Sequence, residues 1–219
     1  MRLVLISDTH GLHAQLPKLP DGDVLVHAGD LTDDAGQAAL RSFLRWFNSQ
    51  PHKRKVFIAG NHDWAFEKWN GPARAMVKEL APTADYLEDS GVEIDGVRFW
   101  GSPYQPEFCN WAFNRKRGTE IAHHWDKIPN ETDVLITHGP PKGILDISGI
   151  DNESCGCADL WTAVATRIRP KLHVFGHIHH GYGTFRQKWL CGTSQTTFIN
   201  ASICNERYQP INKPWVFNL

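Results

Sequence analysis

Five short aliphatic runs divide this chain, and each of them ends in a small polar cluster. Leu3–Ile6 leads into Ser7-Asp8-Thr9-His10-Gly11, Val24–Ala28 into Gly29-Asp30, and Val56–Ala59 into Gly60-Asn61-His62-Asp63. Val134–Thr137 leads into His138-Gly139-Pro140-Pro141, and Leu172–Phe175 into Gly176-His177-Ile178-His179. Runs this short and this apolar have the pattern of strands covered on both faces. In an open α/β sheet, ligands bind just beyond the carboxyl ends of the strands, which is where these polar clusters fall. Parallel strands would bring the clusters to one crevice, and the glycines would let the backbone turn sharply beside a bound group.

The segments between the runs set the fold class. Ala35 to Phe47 has helical periodicity through Ala39, Leu40, Phe43, Leu44 and Phe47, whereas Pro17 and Pro20 break the connection between the first two runs. From residue 84 the texture turns to strands at Tyr86-Leu87, Val92-Glu-Ile and Val97–Trp100, with Asp95-Gly96 as a hairpin turn. Helices are expected over Thr119–Trp125 and about Ala158–Ile168, and antiparallel strands at Gly183–Arg186 and Thr197–Asn200. With 219 residues, 41% of them hydrophobic, the chain can bury a sizeable core, and no repeat or linker divides it. The expectation is one α/β domain over residues 1–219, built on a mixed sheet or a pair of sheets.

Charge and cysteine usage narrow the partners. A net charge of -1 gives no electrostatic reason to expect extended nucleic acid or an anionic membrane. Leu3–Ile6 is far too short for a signal segment, and no later stretch approaches a membrane span, so a cytoplasmic protein with reduced thiols is expected. The 5 cysteines lack a disulfide framework, and Cys155-Gly-Cys157 has no second pair at zinc-ligand spacing; it is expected to rim the cleft. Sequons at Asn130, Asn152 and Asn200 carry little weight without a secretion signal.

Seven side chains in the clusters can ligate a metal: Asp8, His10, Asp30, Asn61, His138, His177 and His179. One ion would not need them all, whereas two ions sharing a bridging carboxylate would. Hard oxygen mixed with imidazole, and no thiolate, suits Mn, Fe, Zn, Co or Ni better than Ca or Mg alone. Each motif is weak alone. Asp-x-His or Gly-Asp is usually an ordinary turn, but five in this order, each after a buried strand, are not coincidence.

Together Asp8-x-His10, Gly29-Asp30, Gly60-Asn61-His62-Asp63, His138 and Gly176-His177-x-His179 resemble the calcineurin-like metallophosphoesterase superfamily along nearly the whole chain. His138-Gly-Pro-Pro, Cys155-Gly-Cys157 and Asn200-Ala-Ser-Ile-Cys204 are similar to its metallophosphoesterase-domain-containing branch, which includes phosphodiesterases. The resemblance implies two packed mixed β-sheets flanked by helices, with metals at the C-terminal ends of the strands. It implies one ion on Asp8, His10, Asp30 and His179, and a second on Asp30, Asn61, His138 and His177, with Asp30 as the bridge. Mn²⁺ is the first choice for both. Two dications about 3.5–4 Å apart need such an anionic bridge, and a bridging hydroxide would attack phosphorus in line.

By the same resemblance His62 sits over the substrate as general acid or transition-state donor. Either Asp63 or Asp33 would orient it. The expected substrate is a small phosphodiester, with a nucleotide as one candidate. The alternatives are a phosphomonoesterase or protein phosphatase, and a non-catalytic scaffold. Protein phosphatases place Arg where this chain has Asp34, whose carboxylate would repel a dianionic monoester. A scaffold would have lost some of the eight positions that are intact here.

Overall fold

The computed structural model describes residues 1–33, 36–189 and 195–219. Its first half runs β1 (Arg2–Ile6), β2 (Val24–Ala28), α1 (Gln37–Ser49), β3 (Arg54–Ile58), α2 (Trp64–Lys68), α3 (Asn70–Leu80) and β4 (Ala84–Tyr86). There follow β5 (Ser90–Ile94), β6 (Val97–Ser102), β7 (Gln105–Pro106), β8 (Asn114–Arg115), α4 (Thr119–Asp126) and β9 (Val134–Thr137). The chain closes with α5 (Ala158–Ala163), β10 (Leu172–Phe175), β11 (Gly183–Lys188), β12 (Gln195–Asn200) and β13 (Trp215–Asn218).

The strands make two large mixed sheets and a small pair, β7 with β8. The first sheet has the order β13-β1-β2-β3-β4, parallel except for β13. The second has the order β11-β12-β10-β9-β6-β5, parallel at its centre and antiparallel at both edges. Strand alternation sorts the aliphatic side chains into layers. Leu3, Leu5, Val24 and Val26 face Val134, Ile136, Leu172 and Val174 across the space between the sheets. Val4, Ile6, Leu25 and Phe57 point the other way, onto α1, α2 and α3. Leu135, Phe175 and Phe198 pack on α4 and α5. The five runs are therefore covered on both faces, which is why none of them alternates with polar residues.

The local expectations hold with small shifts. Leu40, Phe43, Leu44 and Phe47 bury one face of α1, which begins at Gln37; Ala35 and Asp34 lie outside the described residues. Asp95 and Gly96 take φ of 48° and 78° between paired Ile94 and Val97, the backbone of a tight hairpin turn. The expected long helix from Ala158 is α5 followed by wider turns over Val164–Ile168. Between β1 and β2 there is a single 3₁₀ turn, Leu12–Gln15.

Candidate metal centre

The polar clusters meet where the C-terminal ends of both sheets face each other. Backbone bonds lace the loops together: Asp8 N–H donates to the Gly29 carbonyl at 2.9 Å and His10 N–H to the Asp30 carbonyl at 3.1 Å. Asp8, His10, Asp30 and His177 all adopt left-handed backbone, with φ of 52°, 43°, 54° and 67°. Such angles cost residues with a Cβ on the order of 1 kcal/mol each, so the surrounding bonds must enforce them. Space requires glycine at positions 60 and 176. A Cβ on Gly60 would sit on the Asp30 carboxylate and the His138 ring, and one on Gly176 would sit on the Asp8 carboxylate.

Six of the seven predicted ligands gather in two nests, Asp8 with His10 and His179 and Asp30 with His138 and His177; Asp30 also groups with His10 and His62, which joins the nests, and Asn61 abuts the second. In the first, His179 Nε2 lies 3.2 Å from His10 Nε2 and 3.5 Å from Asp8 Oδ1, while His10 Nε2 is 3.7 Å from Asp30 Oδ2. In the second, His138 Nε2 lies 2.8 Å from Asn61 Oδ1 and 3.3 Å from Asp30 Oδ2, with the His177 ring 4.9 Å from that of His138.

These spacings fit cations. Two donors about 2.1 Å from one ion, at right angles, are separated by about 3 Å. His138 Nδ1 faces the Ala28 carbonyl at 3.0 Å, and His179 Nδ1 faces the Asn205 carbonyl at 2.9 Å. A proton on each Nδ1 leaves each Nε2 with its lone pair toward the carboxylates. Lone pairs and carboxylates so aimed repel one another unless a positive charge lies between them.

In the chain alone, protons take part of that role. Burial disfavours a charged His138, but Asp30 beside it outweighs this and pushes the imidazole up to about 9. Burial likewise opposes ionisation of Asp30, yet His138 holds it well below the usual carboxylate range. Burial and then the His138 charge drive His177 down to about 3, leaving it neutral and free to ligate.

A further set of residues braces the ligands. The Asp8 carboxylate accepts His177 N–H at 3.0 Å and the Ser202 hydroxyl at 2.8 Å. Asn200 Oδ1 accepts the Ser202 amide at 3.1 Å, and Asn200 Nδ2 donates to the Ile178 carbonyl at 2.8 Å. The Asn200-Ala-Ser sequon is thus fully buried structure and closed to glycosylation. Asp30 Oδ1 accepts His62 N–H at 2.9 Å.

Of the two carboxylates expected beside His62, the structure brings only Asp33 to its ring, with Oδ1 3.4 Å from Nδ1. Asp33 is also 3.6 Å from His10 Nδ1. Asp63 is turned away. Its oxygens are taken up by the amides of Leu31, Thr32 and Gly60 and by the Thr32 hydroxyl, so it shapes the loop instead. Burial, and then the nearby Asp30 charge, push its carboxyl up to about 6.

The nests open into a cavity of about 630 Å³ walled by His62, Phe108, Trp111, Arg117, Cys155 and Tyr208, among others. The Trp111 ring stacks on His62 at 4.3 Å and 30°, and its loop is tied down where Ala112 N–H donates to the Asn61 carbonyl at 3.1 Å. Arg117 is a cation that no sequence motif marks; it donates to the Gly156 and Cys155 carbonyls at 2.8 and 2.9 Å. Cys155 rims the cavity, whereas Cys157 is buried and caps α5 through Leu160 N–H; both are free thiols. His27 and His173 are buried inside strands, His13 packs on Phe43 and Trp46, and His180 pairs with Glu206 at the rim.

A donor set of hard oxygen and imidazole gathered around one carboxylate fits a metallophosphoesterase. The chain is a member of the calcineurin-like phosphoesterase family, whose model matches residues 1–181. It is therefore a metal-dependent hydrolase of phosphoesters. Human metallophosphoesterase domain-containing protein 1 is 40% identical over the full chain, which covers 71% of that protein. The Caenorhabditis elegans UPF0046 protein K07C11.7 is 41% identical over 99% of the chain and 74% of its own length. A solved phosphopantetheinyl hydrolase from Mycobacterium tuberculosis shares the fold at 16% identity, with a TM-score of 0.59 over 94% of this chain and 90% of that one.

Proposed function

We propose that the chain is a dinuclear phosphodiesterase of small molecules, and that Mn²⁺ is its preferred metal. The observation that carries this reading is Asp30, which groups with His138 and His177 on one side and with His10 and His62 on the other, and so would bridge two cations. Asp8, His10, Asp30 and His179 would hold one ion, and Asp30, Asn61, His138 and His177 the other. When bound, the pair supplies positive charge for the phosphoryl oxygens and lowers the pKa of water in its field. His62 faces the same cavity with its ring clamped between Trp111 and the edge of His10, 4.7 Å away. From there it donates a proton to the leaving oxygen, with Asp33 facing its other nitrogen.

Preference for a diester follows from charge. Arg117 is the one Lys or Arg among the described lining residues, and it is engaged with backbone carbonyls; Glu107, Asp151 and Glu206 also line the cavity. A monoanionic diester is tolerated there better than a dianionic monoester. The volume admits a nucleotide-sized molecule. The site of action we propose is cytoplasmic; no helix among the described residues is long and apolar enough to cross a membrane. The test compares bis-aryl and mono-aryl phosphates on the Mn²⁺-loaded chain. The diester should show the higher kcat/KM; a monoester turned over tenfold better would overturn the reading.

A further inference from the structure

We infer that Tyr208 is a substrate-contacting residue of this centre, its phenol donating a hydrogen bond to a phosphoryl oxygen of the bound ester. The inference rests on the phosphoesterase site described above and adds to it a residue outside residues 1–181, the stretch that the family model matches. The Tyr208 ring lies over the first nest, with its centroid 4.7 Å from His10, 5.4 Å from His179 and 6.3 Å from His62. It lines the main cavity and also a smaller one shared with His10, Leu12 and Asp33. Tyr208 therefore stands between the metal nest and the general-acid side of the site.

Its position is built rather than incidental. Tyr208 takes a left-handed φ of 54°, an angle that a bulky residue adopts only when its surroundings impose it. The imposing turn is closed by Tyr208 N–H to the Asn205 carbonyl at 2.9 Å and by Asn205 Oδ1, which accepts the amides of Arg207 and Gln209 at 3.0 Å each. The same Asn205 carbonyl faces His179 Nδ1, so one backbone atom fixes both a metal ligand and the tyrosine beside it. Upstream, Ile203 N–H donates to the Ser7 carbonyl at 2.8 Å and docks the segment on the Asp8 loop.

Tyr208 is 46% exposed, and its hydroxyl makes no hydrogen bond to another described residue. Among the described lining residues no Lys or Arg side chain is left over beside the metal nests to hold a substrate oxygen, and a neutral donor suits a monoanion. A phenol there adds a bond without attracting a dianion.

The experiment compares the parent chain with Tyr208→Phe and Tyr208→Ala, all loaded with Mn²⁺. Three quantities are read: bound metal by elemental analysis, affinity for inorganic phosphate by calorimetry, and kcat/KM on a bis-aryl phosphate. Tyr208→Phe keeps the ring and loses only the hydroxyl. It should retain its metal while phosphate affinity and kcat/KM each fall roughly tenfold, the loss expected for one hydrogen bond to a charged acceptor. Tyr208→Ala should fall at least as far. Unchanged phosphate affinity and turnover in Tyr208→Phe would overturn the inference and leave the ring as packing on His10. Loss of metal in Tyr208→Phe would also overturn it, making the residue part of the metal nest. Absence of diester turnover in the parent would count against the proposed function alone, because the phosphate titration still decides the role of Tyr208.

Discussion

The two sheets contribute different chemistry to one centre. Every oxygen donor among the expected ligands, Asp8, Asp30 and Asn61, follows a strand of the first sheet, with one imidazole, His10. The second sheet offers imidazole alone, from His138, His177 and His179. Each half is aimed by the other. The Ala28 carbonyl of the first sheet faces His138 Nδ1, and the His177 amide of the second donates to Asp8. Carboxylate charge is thus held on one side and imidazole on the other, and the ligand geometry exists only while the sheets stay packed face to face.

The largest effect should come from the carboxylate that joins the two nests. Asp30→Asn removes the shared negative charge, so bound metal should fall at both positions and activity should drop to background. Replacing His138 or His179 should deplete mainly one. Elemental analysis that finds Asp30→Asn still holding two ions would break the division of labour between the sheets.

His62 comes next. It lies on the first-sheet side but acts without being counted among the ligands, so His62→Ala should keep the metals. Activity should fall on the order of 10²–10⁴-fold for poor leaving groups and far less for nitrophenolate. Metal lost in proportion to activity would make His62 a brace of the nest.

Ser202→Ala sharpens the idea of mutual aiming, because Ser202 touches Asp8 and no metal ligand of its own sheet. Outer partners of this kind are typically worth about 10–100-fold in metal affinity. The loss should appear in metal titrations of the first nest before the second.

The smallest effect concerns a histidine of the second sheet that is not a ligand. Within β10, His173 Nε2 faces Thr137 Oγ1 at 2.8 Å, its Nδ1 is buried without a partner, and burial holds it down to about 3. The unfolded state takes up its proton near pH 6.5, so the contribution is complete above that pH. It is lost progressively as pH falls toward about 3. Denaturant melts should show His173→Gln removing up to about 1.4 kcal/mol per pH unit of the acid slope in that window. An unchanged slope would mean that His173 is protonated in the fold.

Much of this architecture is legible in the amino-acid sequence. The strand runs can be read because both their faces are buried, and the candidate ligand cluster because each of its residues follows such a run. The split into two sheets cannot, since a buried strand has the same pattern in either. Asp33 and Asp63 look equivalent beside His62. Only the fold shows that the partners of Asp63 are Leu31 and Thr32, about thirty residues away in sequence. Trp111, Arg117 and Tyr208 have no local motif; long-range packing alone brings them to the cavity.

Gly60 and Gly176 carry a consequence for evolution and for engineering. At each, a single added carbon atom would occupy space that a ligand already fills. These glycines are ligands by subtraction: they contribute the emptiness in which coordination happens. A search for related sites that matches only Asp, Asn and His will accept scaffolds whose backbone is already obstructed. Grafting the centre onto another double sheet requires copying such missing side chains as faithfully as the seven that are present.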